Sequence, residues 1–215
     1  CIINRSVVLT GSMNPTHNGA YKNDNNIIVV ASKKLAKNYQ EEFDEMWQGE
    51  FQNKKSEKVV YQKITDTKKE ISIQNYFCPE DGCEMQTLRL LAAARKRIRF
   101  MTFSFTSDAI GDFLIANPND ATVEGIFEAR QISPWSEYAR LVEKYGDKAI
   151  KKDENPYAMH HKVFIVDDDC VLTGSYNPSR NGNENNDENL VIVCNKKIAK
   201  AFIEEFERIA DEKEI

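Results

Sequence analysis

Residues 159–194 read MHHKVFIVDDDCVLTGSYNPSRNGNENNDENLVIVC, and the spacing inside this stretch decides the fold. Apolar and β-branched runs at His160–Val166 and Cys170–Thr173 flank the Asp-rich turn Asp167–Asp169, the pattern of two strands joined by a tight connection. Strand side chains alternate between faces, so His160 and Lys162 point one way and His161 the other. Four residues separate Lys162 from Asp167, and six more separate Asp167 from Gly174-Ser175-Tyr176-Asn177. Leu190–Cys194 reads as a third strand, followed by an amphipathic helix to about Ala210.

Outward from this stretch, the chain repeats itself. LTGSMNPTHNG (9–19) matches LTGSYNPSRNG (172–182) at an offset of 163 residues, and the alignment runs without a gap from Cys1–Met46 to Phe164–Ile209. It includes Asn23-Asp24 against Asn186-Asp187 and Glu41-Glu42-Phe43 against Glu204-Glu205-Phe206. A repeat of this length is a duplicated domain rather than a solenoid unit. Ahead of the second copy lie further elements: a helix over Cys83–Arg97, a strand over Ile98–Phe105, and a helix from Ser107 or Asp108 to about Asn117. A strand at Ala121–Phe127 and a helix from Pro134 to Tyr145 follow. Alternating strands and helices indicate an α/β layer fold, a mixed sheet with helices on both sides. The expected division is 1–50 for the end of a first repeat, 51–77 for a charged connection with a strand near Val59–Ile64, and 78–215 for a complete second repeat. The chain opens on Cys1 inside a predicted strand, which is the expectation for a fragment whose first copy is incomplete and whose targeting signal, if any, lies upstream; localisation is unreadable.

The composition, 41% hydrophobic with a formal charge of −5, suits a folded domain and does not favour a nucleic-acid packing protein. No apolar run of about 18 residues is present, so no membrane span is expected within these residues. Of five cysteines, Cys78 and Cys83 bracket a turn at a spacing open to a disulfide or half a metal site. No second close pair completes a tetrahedral set, and two ordinary thiols is the plainer reading.

An imidazole beside an ammonium, with a hydroxyl and an amide arriving from the next strand end, is a set suited to phosphate chemistry. Imidazole attacks phosphorus or protonates a leaving oxygen. Ammonium and amide groups hold the non-bridging oxygens. The scheme needs no metal or cofactor, and the Asp167–Asp169 turn lacks the ligand spacing of a calcium loop.

The pattern His160-x-Lys162-x4-Asp167-x6-Gly174-Ser175-x-Asn177, with Glu188 downstream, resembles the signature of the phospholipase D superfamily, and the duplicated frame resembles its architecture. The resemblance implies two half-sites meeting across a pseudo-two-fold axis, one histidine forming a phosphohistidine and the other protonating the leaving group. It makes His160 nucleophile or general acid, with the order of motifs leaning toward acid. Lys162 and Asn177 bind phosphate, Ser175 shapes that pocket, Glu188 holds the far nitrogen of a site imidazole, and Asp167 supports the site. In the first copy Ser12 and Asn14 match Ser175 and Asn177, while Asn4 and Asn25 stand where Asp167 and Glu188 do. A matching HxK would precede Cys1, so the partner half-site comes either from upstream or from pairing of two chains.

The expected substrate is a phosphodiester, nucleic acid first and phospholipid second, and the other class of function is a catalytically incomplete phosphate-binding module. Ordinary structural roles are expected for the rest. His161 faces away from the site. His17 and Arg180 lie in exposed turns, and Arg95, Lys96, Arg97 and Arg99 serve a helix dipole and solvent. Phe100, Phe103 and Phe105 are core, and Trp47 and Trp135 are packing residues.

Overall fold

In the computed structural model, which describes residues 1–52, 59–66 and 68–211, the repeated segments fold alike. Strands β1 (Ile2–Ile3), β2 (Val7–Gly11) and β3 (Ile27–Ala31) form a small antiparallel sheet, with helix α1 (His17–Tyr21) between β2 and β3 and α2 (Lys33–Trp47) after them. There follow β4 (Ile64–Asp66), β5 (Ile71–Cys78), α3 (Cys83–Ala92), β6 (Arg97–Thr102), α4 (Asp108–Ala116), β7 (Thr122–Phe127), α5 (Tyr138–Tyr145) and β8 (Ile150–Lys152). The second copy closes with β9 (Lys162–Val166), β10 (Cys170–Gly174), α6 (Arg180–Glu184), β11 (Glu188–Cys194) and α7 (Lys196–Ala210). The large sheet runs β4-β5-β11-β10-β9-β6-β7-β8, parallel from β6 to β8 and antiparallel elsewhere.

The chain is thus an α/β protein, and the period-2 pattern explains its layers. On β9, Phe164 and Val166 face α3, α4 and α5, while Val163 and Ile165 face α7. All four are buried, and each such side chain contributes roughly 1.5–3 kcal/mol of hydrophobic stabilisation. The small sheet and α2 pack Val8, Leu35 and Ala36 against Ile73, Val191 and Val193 of the large sheet.

The repeated glycines have a steric cause. Gly11 and Gly174 sit at φ +150° and +149°, and a Cβ on either would stand 2.2 Å from the carbonyl oxygen of Asn26 or Asn189. Only glycine tolerates so close an approach. Each loop then enters its short helix through a hydroxyl cap, Thr16 on the Gly19 N–H and Ser179 on the Gly182 N–H.

Several expectations change. α3 ends at Ala92, not Arg97, because the N–H groups of Arg95, Lys96 and Arg97 turn onto the Asp167 carboxylate at 2.7, 2.7 and 3.0 Å. α5 starts at Tyr138 after a turn in which Ser136 donates to the Ser133 carbonyl. The strand expected near Val59–Ile64 begins only at Ile64, and residues 53–58 of the connection lie outside the described residues. Within the stretch read as connection, β5 pairs with β11 over seven residue pairs and forms part of the large sheet. Trp47 and Trp135 are exposed (80% and 82%) rather than packed. Arg99 is buried against Glu124 and Asp168 instead of facing solvent, since its β6 position points under α7, near Phe206. Cys78 pairs with Cys83 in a disulfide, and Cys170 with its cross-strand neighbour Cys194, a pair the sequence spacing did not suggest.

Asp167 is consequently a fold residue. Burial pushes its carboxyl up, but the three backbone N–H groups outweigh that and hold it below its ordinary value. We expect Asp167→Ala to lower stability by about 1–3 kcal/mol in urea unfolding at neutral pH. A depressed carboxyl stabilises above its unfolded value and loses that contribution as pH falls through the folded one. The gap between the two proteins should therefore narrow below pH 3.8.

Candidate active site

His160 and His161 lie just ahead of β9, where pairing continues beyond the strand through Phe103 N–H to the His161 carbonyl at 2.7 Å. The alternation therefore holds. Lys162 and His160 share a face, and His161 turns toward α7, where its Nε2 lies 3.2 Å from Glu205 Oε1.

The His160 imidazole is fixed from the first repeat. Its Nδ1 lies 2.7 Å from the carbonyl oxygen of Ser12, an acceptor, so Nδ1 carries the proton and Nε2 keeps a free lone pair. The backbone N–H of His160 donates to the Asp24 carbonyl at 2.6 Å. Burial lowers its pKa below the ordinary 6.5, the Lys162 charge lowers it further, and the Ser12 hydrogen bond opposes both. The Lys162 ammonium is almost wholly buried, which pushes it down to about 7 although the Glu188 carboxylate partly offsets this. It donates to the His160 carbonyl at 3.0 Å and lies 4.7 Å from the centre of the Phe103 ring. The same ring stands edge-on to His160 with centroids 4.6 Å apart. Phe103, expected in the core, thus touches both His160 and Lys162, and its π face favours a desolvated cation.

Among the described residues no hydrogen bond joins Glu188 to the His160 ring. Glu188 stands beside Lys162 with Ser175 and Asn186, and burial raises its pKa against those partners. The Ser12 and Ser175 hydroxyls do matching work. Each accepts from the backbone and side-chain N–H groups of one asparagine, Asn26 for Ser12 and Asn189 for Ser175, at 3.0–3.2 Å. Asn177 Oδ1 is buried with no hydrogen-bond partner among the described residues. Asn14 is exposed. Asp167 is remote, roughly 17 Å from Lys162 at the other end of β9. Asn25, in place of a carboxylate, donates to the Gly19 and Asn23 carbonyls. Among the described residues no three His, Cys, Asp or Glu side chains gather to hold a metal ion.

Asn26 and Asn189 had a sequence signal. Both stand in the repeat at the same offset, and the symmetry shows again in space: Thr10 donates to Asn189 Oδ1 at 2.7 Å, and Thr173 to Asn26 Oδ1 at 2.9 Å. A carbonyl such as Ser12's leaves no side-chain signature.

The family model described as cardiolipin synthase, PLD-like domain, matches residues 1–47 and 87–210. The chain belongs to this phospholipase D-like family. It is similar to the mitochondrial cardiolipin hydrolase of Homo sapiens, 32% identical over 123 residues, which is 57% of this chain and 48% of that protein. The chain thus spans about half the length of that curated relative. Among solved structures, Nuc from Salmonella typhimurium, a phospholipase D family member, is 29% identical with a TM-score of 0.59 over 65% of this chain and 94% of its own. Phosphatidylserine synthase of Haemophilus influenzae Rd KW20 aligns over 96% of this chain and 58% of its own with a TM-score of 0.66, at 11% identity a likeness of fold alone.

The electrostatics of this phospholipase D-like site can be read directly. In imidazole NMR titrations His160 should show the Nδ1–H tautomer and a midpoint below 6.5. Lys162→Met removes the neighbouring charge and should raise that midpoint; an unchanged midpoint would mean that the ammonium does not act on the ring.

Proposed function

We propose that the chain carries the His160 half-site of a phosphodiester hydrolase that works through a phosphohistidine without a metal. The observation that carries this is the His160 imidazole held at Nδ1 by the Ser12 carbonyl, with the buried Lys162 ammonium on the carbonyl of the same residue. Nε2 attacks phosphorus as the bond to the leaving oxygen breaks. That oxygen takes its proton from the second histidine of the two-half-site scheme, supplied by an upstream HxK or by a second copy of the chain. Water then attacks the phosphohistidine, the P–N bond breaks, and a phosphomonoester leaves. Lys162 and the Asn177 amide hold the non-bridging oxygens. A pKa below 6.5 leaves the ring unprotonated at neutral pH, which supports nucleophile rather than the general acid suggested by motif order.

For the substrate we place nucleic acid first. The segment leading into His160 carries Tyr157, half-exposed, with the Lys22 ammonium 4.5 Å from its ring centre and Arg130 donating to its carbonyl. Neighbouring Tyr21 is exposed. Aromatic and cationic groups together suit unpaired bases and their phosphates. A second reading, a phospholipid head-group diester, is favoured by an apolar cavity of about 600 Å³ beside Glu188, lined by Leu9, Met13, Phe43 and Phe77. The names of the lipid-acting relatives agree with it.

The assay uses bis-(p-nitrophenyl) phosphate, single-stranded DNA and phosphatidylcholine vesicles with EDTA present, on this chain and on an upstream-extended form. Hydrolysis that His160→Ala abolishes is the expected outcome, and activity indifferent to that substitution would sink the assignment. The kcat/KM profile should rise as pH climbs through the depressed His160 value, below 6.5, and fall from about 7 as Lys162 deprotonates. Lys162→Arg, which stays charged, should remove the part of the alkaline limb that Lys162 causes and leave the part due to deprotonation of the second histidine.

A further inference from the structure

We infer that His161 is a positioning residue for His160, acting through two hydrogen-bonded arms that end on the two carbonyls holding His160. This rests on the reading of His160 as the reactive group. His161 is buried on the opposite face of the strand, and both of its ring nitrogens are engaged. Nδ1 lies 3.1 Å from the Asn26 amide nitrogen, a donor, so Nδ1 accepts and Nε2 donates to Glu205.

The first arm runs through Asn26. Its amide donates to the Ser12 hydroxyl at 3.2 Å, its backbone N–H does so at 3.1 Å, and its Oδ1 accepts from Thr173. Asn26 thereby sets the position of Ser12, whose carbonyl takes the His160 Nδ1 proton. The second arm runs through Glu205, which is held by Arg208 through Nε and Nη2, both at 2.8 Å. Arg208 also grips the Asp24 carboxylate, which Asn155 binds from the other side. The Asp24 carbonyl accepts the His160 backbone N–H. His161 therefore closes a ring of hydrogen bonds around its neighbour, drawn from β9, α7 and the first repeat.

The internal repeat supplies a control for the second arm. Glu42 and Glu45 occupy in the first copy the places of Glu205 and Arg208 in the second. Burial and the carboxylates of Glu80 and Glu45 push Glu42 up to about 8. At the equivalent place burial pushes Glu205 up as well, yet Arg208 and His161 bring it down to about 2. The charged carboxylate is therefore a product of its partners, not of its place in the fold. A buried histidine that only filled space between α7 and the sheet would need neither.

The experiment compares wild type, His161→Leu and Glu205→Ala by steady-state kinetics on bis-(p-nitrophenyl) phosphate and by imidazole NMR of His160, with circular dichroism monitoring folding. Misplacing a reactive group by about 1 Å costs on the order of a hundredfold in rate. We expect kcat to fall about tenfold to a hundredfold in both variants with KM unchanged. The His160 ring should lose its single Nδ1–H tautomer. In Glu205→Ala its midpoint should drop further, since the Ser12 bond that raises it is loosened while burial, Lys162, His161 and Glu128 still act on the ring; His161→Leu also removes the lowering by His161, so there the tautomer is the readout. A folded variant with an unchanged His160 spectrum overturns the inference, whether or not kcat falls. Should His161→Leu fail to fold, Glu205→Ala, a change on the half-exposed side of α7, decides. Inactivity of both this chain and its upstream-extended form on every diester would remove the hydrolase reading alone, because the spectra still report whether His161 positions the ring.

Discussion

The hydrogen bond from His160 Nδ1 to the Ser12 carbonyl is the interaction on which the candidate site depends, because it joins the two repeats at the His160 ring. It exists only while the first repeat is held in register against the second. That register is set by reciprocal bonds at one offset, Thr10 to Asn189 and Thr173 to Asn26. Each asparagine also pins the serine of its own loop, so a single residue type sets both the loop and the cross-repeat contact. The two glycines make this possible, since any side chain at Gly11 or Gly174 would collide with the carbonyl of that same asparagine.

Burial then sets the chemistry. Lys162 lies on a strand covered on both faces, so its charge is carried without bulk water. A buried ammonium is costly unless partners compensate. Here the His160 carbonyl, the Phe103 ring and the more distant Glu188 do so incompletely, and the pKa settles near 7. On the proposed function, a phosphate entering the pocket would supply the missing negative charge. The same low-dielectric surroundings that depress Lys162 strengthen its attraction for that phosphate.

What could be read in the sequence was what is local or periodic. Strand alternation alone separates His160 from His161, and the offset of 163 residues alone locates the second loop. The α/β layering followed from the order of elements. What escaped was long-range or carried by the backbone. Nothing local tells that β5 joins β11, that Arg99 ends beneath α7, or that Cys170 faces Cys194 across two strands. The Asp167 carboxylate shows the difficulty most clearly. Its place in the motif suggested a role near the reacting groups, yet its partners are three N–H groups some seventy residues earlier in the chain.

The first repeat shows why a motif comparison undervalues a diverged copy. Judged by side chains, replacing the carboxylate positions with Asn4 and Asn25 looks like lost chemistry. In the fold, Asn25 turns inward to the Gly19 and Asn23 carbonyls and stabilises the loop that presents Asn26. The contribution of that loop to His160 is made by backbone oxygens, those of Ser12 and Asp24, which no substitution at a motif position removes directly. What the loop contributes is its shape. The shape is conferred by the residues the two copies share, Gly11, Ser12, Gly19, Asp24 and Asn26 among them, and not by the charged positions at which they differ.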